Sequence, residues 1–281
     1  MNLGEALKQA EREIGSVDAM ALMCHSLKRN RAFVIAHCDD SMDERDLMGL
    51  ELMVSSRKLG TPVAYLIGKR EFYSREFVVT PDVLIPRPET EVLVDQALAR
   101  LSEASAPEPA WILDLGTGSG AIAITLALEA RAQVTATDRS EAALSVARGN
   151  AARLGASVDF IQSNWYSALA GERFDLIVAN PPYVAAGDPH LSQGDLRFEP
   201  QTALADGSHD GLSSIRAIIE GAPAHLNPGG WLLFEHGYDQ AEACRELLLQ
   251  RGFEGIVSVP DLAGIARVAG GIWQRNPESP E

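Results

Sequence analysis

The feature that most restricts the fold is an alternation of short apolar runs with longer helical patterns through the C-terminal two-thirds of the chain. The apolar runs lie at Trp111–Leu115, Val134–Thr137, Val158–Ile161, Leu176–Ala179 and Trp231–Phe234. Residues at helical spacing fill the intervals. The clearest helix, Glu141–Leu154, meets Gly155, the residue type that most readily closes a helix in the left-handed conformation. Repeated strand–helix units predict an α/β chain with a doubly wound parallel sheet and helices on both faces. In such a sheet, ligands bind beyond the carboxyl ends of the strands, so the residues there carry the functional reading.

The first of these strands runs into Asp114-Leu115-Gly116-Thr117-Gly118-Ser119-Gly120, and Ala121–Leu126 then opens a helix. Glycines admit backbone angles and close approach that a Cβ would block, which brings the chain against a ligand at the helix N-terminus. The spacing is GxGxG with an acid before it, not the GxGxxG of dinucleotide enzymes, and favours S-adenosylmethionine as cofactor. Asp138 ends the second strand, where a carboxylate can accept hydrogen bonds from two ribose hydroxyls. Its plainer reading is a helix-capping aspartate beside Arg139 and Ser140. Trp165 follows the third strand and is either an indole lying against adenine or a packing tryptophan. Taken together, Gly116 to Gly120, Asp138 and Trp165 describe an adenosine pocket.

The fourth strand passes straight into Asn180-Pro181-Pro182-Tyr183. Consecutive prolines cannot continue a central strand or enter a helix interior, and they hold a stiff, extended backbone at the sheet edge. Alone, this also reads as a proline-rich turn; beside an adenosine pocket it is a methyl-acceptor site. An amide or aromatic-amine nitrogen is a poor nucleophile because its lone pair is delocalised. The Asn180 side-chain carbonyl and the Pro181 backbone carbonyl can accept its two N–H hydrogens, align it with a sulfonium methyl and stabilise the developing positive charge. No strong general base is then needed, because the extra proton becomes acidic once the methyl is added. The Tyr183 ring can stack on a flat substrate group.

Residues 1–68 have a different pattern. Leu3, Leu7, Ala10 and Ile14, and again Leu47, Leu50, Met53 and Val54, recur at three- and four-residue steps, which predicts a small bundle of amphipathic helices. Asp18 and Ser41 read as helix starts. Residues 69–88 read as a hairpin around Tyr73-Ser74-Arg75 followed by an extended linker held by Pro81, Pro86 and Pro88. The catalytic domain then spans 89–281. It opens with a helix from Glu89 to Leu101, followed by a polar loop from Ser102 to Pro109.

Composition excludes several classes of function. With 24 basic and 39 acidic residues, the net charge of −15 lacks the basic stripe of a protein that grips nucleic acid by itself. The three cysteines and six histidines are scattered, with no CxxC or HExxH spacing, so neither disulfides nor a metal site is expected. No apolar run approaches the ~20 residues of a membrane span. The N-terminus lacks a signal-peptide pattern, and a cytoplasmic location is expected.

These motifs resemble the glutamine N5-methyltransferases of peptide-chain release factors, the PrmC/HemK family, over essentially the whole chain. The resemblance is carried by Leu84-Ile85-Pro86-Arg87-Pro88-Glu89-Thr90-Glu91, Asp114 to Gly120, Asn180 to Tyr183, Phe198-Glu199-Pro200 and Asp261-Leu262-Ala263-Gly264. It implies a seven-stranded class I methyltransferase (Rossmann-like) sheet with its last strand antiparallel, and a small N-terminal helical bundle that docks the substrate. It implies methylation of the glutamine of the GGQ loop in class 1 release factors. Apart from the resemblance, nothing in the sequence suggests an obligate dimer, and a monomer is expected. Gly116, Thr117, Gly118, Ser119, Gly120, Asp138, Trp165 and Asn180 would contact S-adenosylmethionine, and Asn180, Pro181, Pro182 and Tyr183 would cradle the glutamine amide. After Gly264 the chain has Ile265-Ala266-Arg267 where the family usually has a charged pair. Arg87, Glu89 and Glu91 read either as a solvated first helical turn or as a segment folded over the cleft, and spacing assigns no role to Glu199 or Glu235. The competing readings are an adenine or guanine amine methyltransferase acting on nucleic acid, which uses the same NPPY logic, and a catalytically silent scaffold.

Overall fold

A computed structural model describes residues 1–102 and 108–274, so most of the loop expected after Ser102 lies outside the described residues. The chain divides into two compact units. The first comprises Met1–Lys69 together with Ser192–Phe198, and the second comprises Arg70–Leu191 and the chain from Glu199 onward.

The first unit is helical: α1 (Leu3–Ile14), α2 (Ser16–Leu27), α3 (Arg31–Ala36), α4 (Glu44–Lys58) and α5 (Val63–Ile67). A capping box starts α1, in which the Asn2 side chain accepts from the Glu5 N–H at 2.7 Å and the Glu5 carboxylate accepts from the Asn2 N–H at 3.0 Å. Leu3, Ala6 and Ala10 of α1, Leu22 and Met23 of α2, and Leu50 and Val54 of α4 close a small core. Two helix starts differ from the sequence reading. Asp18 sits in the first turn of α2 behind Ser16, and α4 is capped by Asp43, whose carboxylate accepts from the Arg45 N–H at 2.8 Å. Arg57 of α4 donates to Asp18 at 2.7 Å and to Asp195 at 2.6 Å, which fastens the Ser192–Phe198 segment into this unit.

In the second unit, β1 (Lys69–Phe72) and β2 (Arg75–Val78) form the hairpin. Its turn is two residues, not three: Tyr73 and Ser74 have φ of 50° and 59°, as a type I′ turn requires, and Arg75 is already in β2. A 3-10 turn at Pro88–Thr90 precedes α6 (Glu91–Leu101), two residues later than the sequence suggested. The chain then alternates through β3 (Ala110–Leu115), α7 (Ala121–Glu129), β4 (Ala132–Asp138), α8 (Glu141–Leu154), β5 (Asp159–Gln162) and β6 (Phe174–Ala179). It ends with α9 (Gln201–Leu204), α10 (Ser213–His225), β7 (Leu226–Glu235), α11 (Ala241–Arg251), β8 (Glu254–Pro260) and β9 (Ala266–Trp273). Among the described residues no helix is long and apolar enough to cross a membrane.

The seven strands lie in the order β5-β4-β3-β6-β7-β9-β8. Neighbours from β5 to β7 are parallel, and β9 runs antiparallel to both β7 and β8. The near-continuous apolar strands follow from burial on both faces. Leu113 and Leu115, Ile177 and Ala179, and Leu232 and Phe234 enter one core, whereas Ile112, Leu176, Val178 and Leu233 enter the other. Strand order reverses between β3 and β6, so a crevice is expected beyond their carboxyl ends. Those ends carry the glycine-rich loop and the Asn-Pro-Pro-Tyr segment.

Candidate active site

A cavity of about 720 Å³ opens at that switch point, within the size range of small-molecule sites. One wall is the loop from Gly116 to Ser119. The N–H groups of Gly116 and Thr117 both donate to the Thr137 carbonyl at 2.8 Å, which bends the loop over β4. Gly118 has φ of +55° and a Cβ added there would meet no atom within 4 Å, so its bare backbone faces open cavity. Gly120 is different. It caps α7 away from the cavity lining, and a Cβ there would lie 2.7 Å from Ile124 and 3.1 Å from Ala147. Its bareness serves the packing of α7 against α8, a role the sequence reading had not given it.

Asp138 lines the cavity at the end of β4. Its Oδ2 accepts from the Gly118 N–H at 3.0 Å and its Oδ1 from the Ser140 N–H at 2.9 Å. Capping of α8 falls to Ser140, which accepts from the Ala143 N–H. Each Asp138 oxygen keeps acceptor capacity, which suits a vicinal diol. Trp165, at φ of 49°, lines the cavity and also packs against the core.

Two buried side chains hold the glycine loop: Asp114, which the sequence marked only as the acid before it, and Asn150, which sequence reasoning passed over. The Asp114 carboxylate accepts from the Thr117 hydroxyl at 2.6 Å, and burial pushes its pKa up to about 7. Asn150 of α8 is fully buried. It accepts from the Val78 N–H at 2.8 Å and donates to the carbonyls of Val78 and Ser119 at 3.0 and 2.9 Å.

The opposite wall holds Asn180 and Pro182. Asn180 Nδ2 donates to the Thr90 hydroxyl at 3.1 Å, and that hydroxyl donates to Glu235 Oε2 at 2.6 Å. Glu235 is 1% exposed; its other oxygen accepts from the Tyr183 hydroxyl at 2.9 Å. Burial raises the Glu235 pKa, while the Thr90 and Tyr183 hydroxyls and the Arg267 charge oppose that rise. Burial and the adjacent Glu235 raise that of Tyr183. Pro181 is buried, and Tyr183 is not among the cavity-lining residues: its hydroxyl is engaged with Glu235. Gln240 donates to the Tyr183 carbonyl at 3.0 Å and steadies the segment.

The segment before α6 splits into separate roles. Arg87 lines the cavity and pairs with the buried carboxylate of Glu199, which also accepts from the Ile85 N–H at 3.0 Å. Glu91 accepts from the Tyr73 N–H at 2.8 Å and so holds the hairpin, whereas Glu89 is exposed. Of the two acids without a sequence role, Glu199 thus positions Arg87 and Glu235 anchors the Asn180 segment.

Comparison with known proteins bears on this arrangement. The PrmC N-terminal domain family matches residues 2–68, and the Methyltransferase small domain family matches residues 91–194. Release factor glutamine methyltransferase of Xylella fastidiosa is 51% identical over 267 residues, covering 94% of this chain and 96% of the relative. The enzyme of the same name from Bordetella pertussis is 51% identical over 264 residues, covering 93% and 96%. Among solved structures, the Thermus thermophilus 16S rRNA N2 G1207 methyltransferase in complex with AdoMet and guanosine superposes with a TM-score of 0.55 at 20% identity. It covers 73% of this chain and 50% of that one, a likeness of fold alone. Identity at this level, extending through both units, goes well beyond a shared sheet: the chain belongs to the release factor glutamine methyltransferase family.

Proposed function

We propose that this chain transfers the methyl group of S-adenosylmethionine to the side-chain amide nitrogen of the GGQ-loop glutamine in class 1 peptide-chain release factors. The names of the curated relatives support the reaction and its protein substrate. The observation that carries the chemistry is the Asn180 side chain, held at the cavity wall by its Nδ2 and so free to offer Oδ1 to an acceptor amide. Gly116, Thr117, Gly118 and Ser119 hold the cofactor, with Asp138 on the ribose and Trp165 beside the adenine. Once bound, the cofactor supplies an electrophilic methyl on a sulfonium.

The protein's part is orientation. Asn180 Oδ1 and the Pro181 carbonyl accept the two amide N–H hydrogens, fix the nitrogen lone pair toward the methyl and favour the positive charge that develops there. The proton is released to water after transfer, so no buried base is required. Stacking of Tyr183 on the substrate is not part of this reading, because the residue packs against the core and does not line the cavity. The helical unit of residues 1–68 docks the release factor.

The experiment is methylation of a purified release factor, compared with bulk RNA and DNA, with the modified residue mapped by mass spectrometry. Label is expected on the GGQ glutamine. Label on nucleic acid and not on that peptide would overturn the proposal, and no label on any substrate would favour the silent scaffold. In the same assay Asn180→Ala is expected to lower turnover by on the order of 10²- to 10³-fold, like loss of one preorganised oxyanion donor. Unchanged turnover would remove Asn180 from its role.

A further inference from the structure

We infer that Thr90 and Glu235 are positioning residues that decide which way round the Asn180 amide faces the cavity. The inference rests on the reading of Asn180 as the acceptor that orients the substrate nitrogen. An asparagine amide is nearly symmetrical in shape, and a half-turn about its last bond exchanges a carbonyl for an NH₂. Toward a substrate N–H the carbonyl attracts and the NH₂ repels. The enzyme therefore needs something to choose between the two orientations, and nothing within Asn180 makes that choice.

The Thr90 hydroxyl makes it. A hydroxyl has one proton and two lone pairs. Here the proton goes to Glu235 Oε2 at 2.6 Å, an acceptor that the Tyr183 hydroxyl and the Arg267 charge hold toward its ionised, accept-only form against the effect of burial. What Thr90 Oγ1 presents to Asn180, 3.1 Å away, is a lone pair. Only Nδ2 can satisfy it, and Oδ1 is turned the other way. The second Glu235 oxygen takes the Tyr183 hydroxyl at 2.9 Å, so one buried carboxylate secures both ends of the segment 180–183. The plainer role for Thr90 would be to cap α6, at whose N-cap it stands. Its side chain makes no capping bond there; the hydroxyl proton goes to Glu235 and a lone pair to Asn180.

The test is a mutant cycle on the full-length enzyme with S-adenosylmethionine and a release factor. Thr90→Val keeps the shape of the side chain and removes the hydroxyl. It is expected to lower kcat by about tenfold, the worth of one orienting hydrogen bond, with cofactor affinity by calorimetry unchanged. Thr90→Ser is expected to restore the rate. Because Thr90 acts through Asn180, Thr90→Val is expected to add nothing in an Asn180→Ala background. A wild-type rate for Thr90→Val beside an impaired Asn180→Ala, or losses that multiply in the double variant, would overturn the inference and leave the Asn180 reading intact. Full activity of Asn180→Ala would overturn both. If the valine variant fails to fold, Glu235→Gln supplies the same cycle: its amide is no longer purely an acceptor, so kcat falls several-fold with Asn180 present and not without it. An unchanged rate there would equally refute the role.

Discussion

Asn150→Ala is expected to damage the second unit far more than a truncation on a helix face ordinarily does. The side chain is fully buried and makes three hydrogen bonds, two to the backbone of Val78 and one to the Ser119 carbonyl. Val78 is exposed, so water can replace part of the loss there. Ser119 is only 3% exposed, so its carbonyl is left without a partner. One stranded buried acceptor and two half-buried bonds together cost about 2–4 kcal/mol. For a unit of roughly 200 residues this lowers the melting temperature by about 5–10 °C. Circular dichroism would measure the shift, and calorimetry the accompanying weaker binding of S-adenosylmethionine, since Ser119 lines the cavity. The neighbouring Gly149 provides a control of opposite sign. It is exposed within α8, and a Cβ added there meets no atom within 4 Å, so Gly149→Ala is expected to gain about 0.5–1 kcal/mol from helix propensity alone. A melting temperature within about 1 °C of wild type for Asn150→Ala would refute the accounting, since a buried three-bond clasp cannot be that cheap.

Two further expectations concern the cofactor wall. Asp138→Ala is expected to weaken S-adenosylmethionine binding by on the order of tenfold or more, through loss of charged acceptors for the ribose and of the bond that shapes the loop at Gly118; unaltered affinity by calorimetry would remove the ribose assignment. For Asp114, burial raises the pKa to about 7, so the folded chain retains a proton that the unfolded chain has already released above pH ~4. The residue's favourable contribution is therefore full at low pH and lost as pH rises through about 7. Asp114→Asn is neutral throughout, and its stability relative to wild type in urea is expected to improve by a few kcal/mol between pH 5 and pH 8. A difference that does not move with pH would show that Asp114 does not carry this proton.

Local pattern made much of the fold legible. The apolar runs found β3 to β7, helical spacing with Gly155 found both ends of α8, and Tyr73-Ser74 marked the hairpin. Errors of two or three residues at α2, α4 and α6 arose where several capping residues stand close together. What stayed hidden was polar contact between residues far apart in sequence. Thr90 and Glu235 are 145 residues apart, Arg87 and Glu199 112, and Arg57 and Asp195 138. Glu235 and Glu199 look like ordinary surface charges until tertiary packing buries them. The packing role of Gly120 stayed hidden for the converse reason. It stands in a motif whose other glycines face the cavity, and only the approach of Ala147 on another helix reveals that it serves packing.

One further signal would have exposed Glu235, and it lies in the sheet register. Leu115 of β3 pairs with Thr137 of β4 and with Ala179 of β6, and Ala179 pairs with Phe234 of β7. The next residue on each strand is then Gly116, Asp138, Asn180 and Glu235, four residues in one row across the carboxyl edge. In a parallel sheet, equal register places equal steps beyond it side by side. The carboxylate that ends β7 therefore has to stand next to the asparagine one residue past the end of β6. Thr90, arriving from the segment before α6, completes the contact by bridging the two. The row also explains why the site tolerates no slippage. Moving any one strand by a single residue would turn its side chains to the opposite face and take its acid, amide or glycine out of line with the other three.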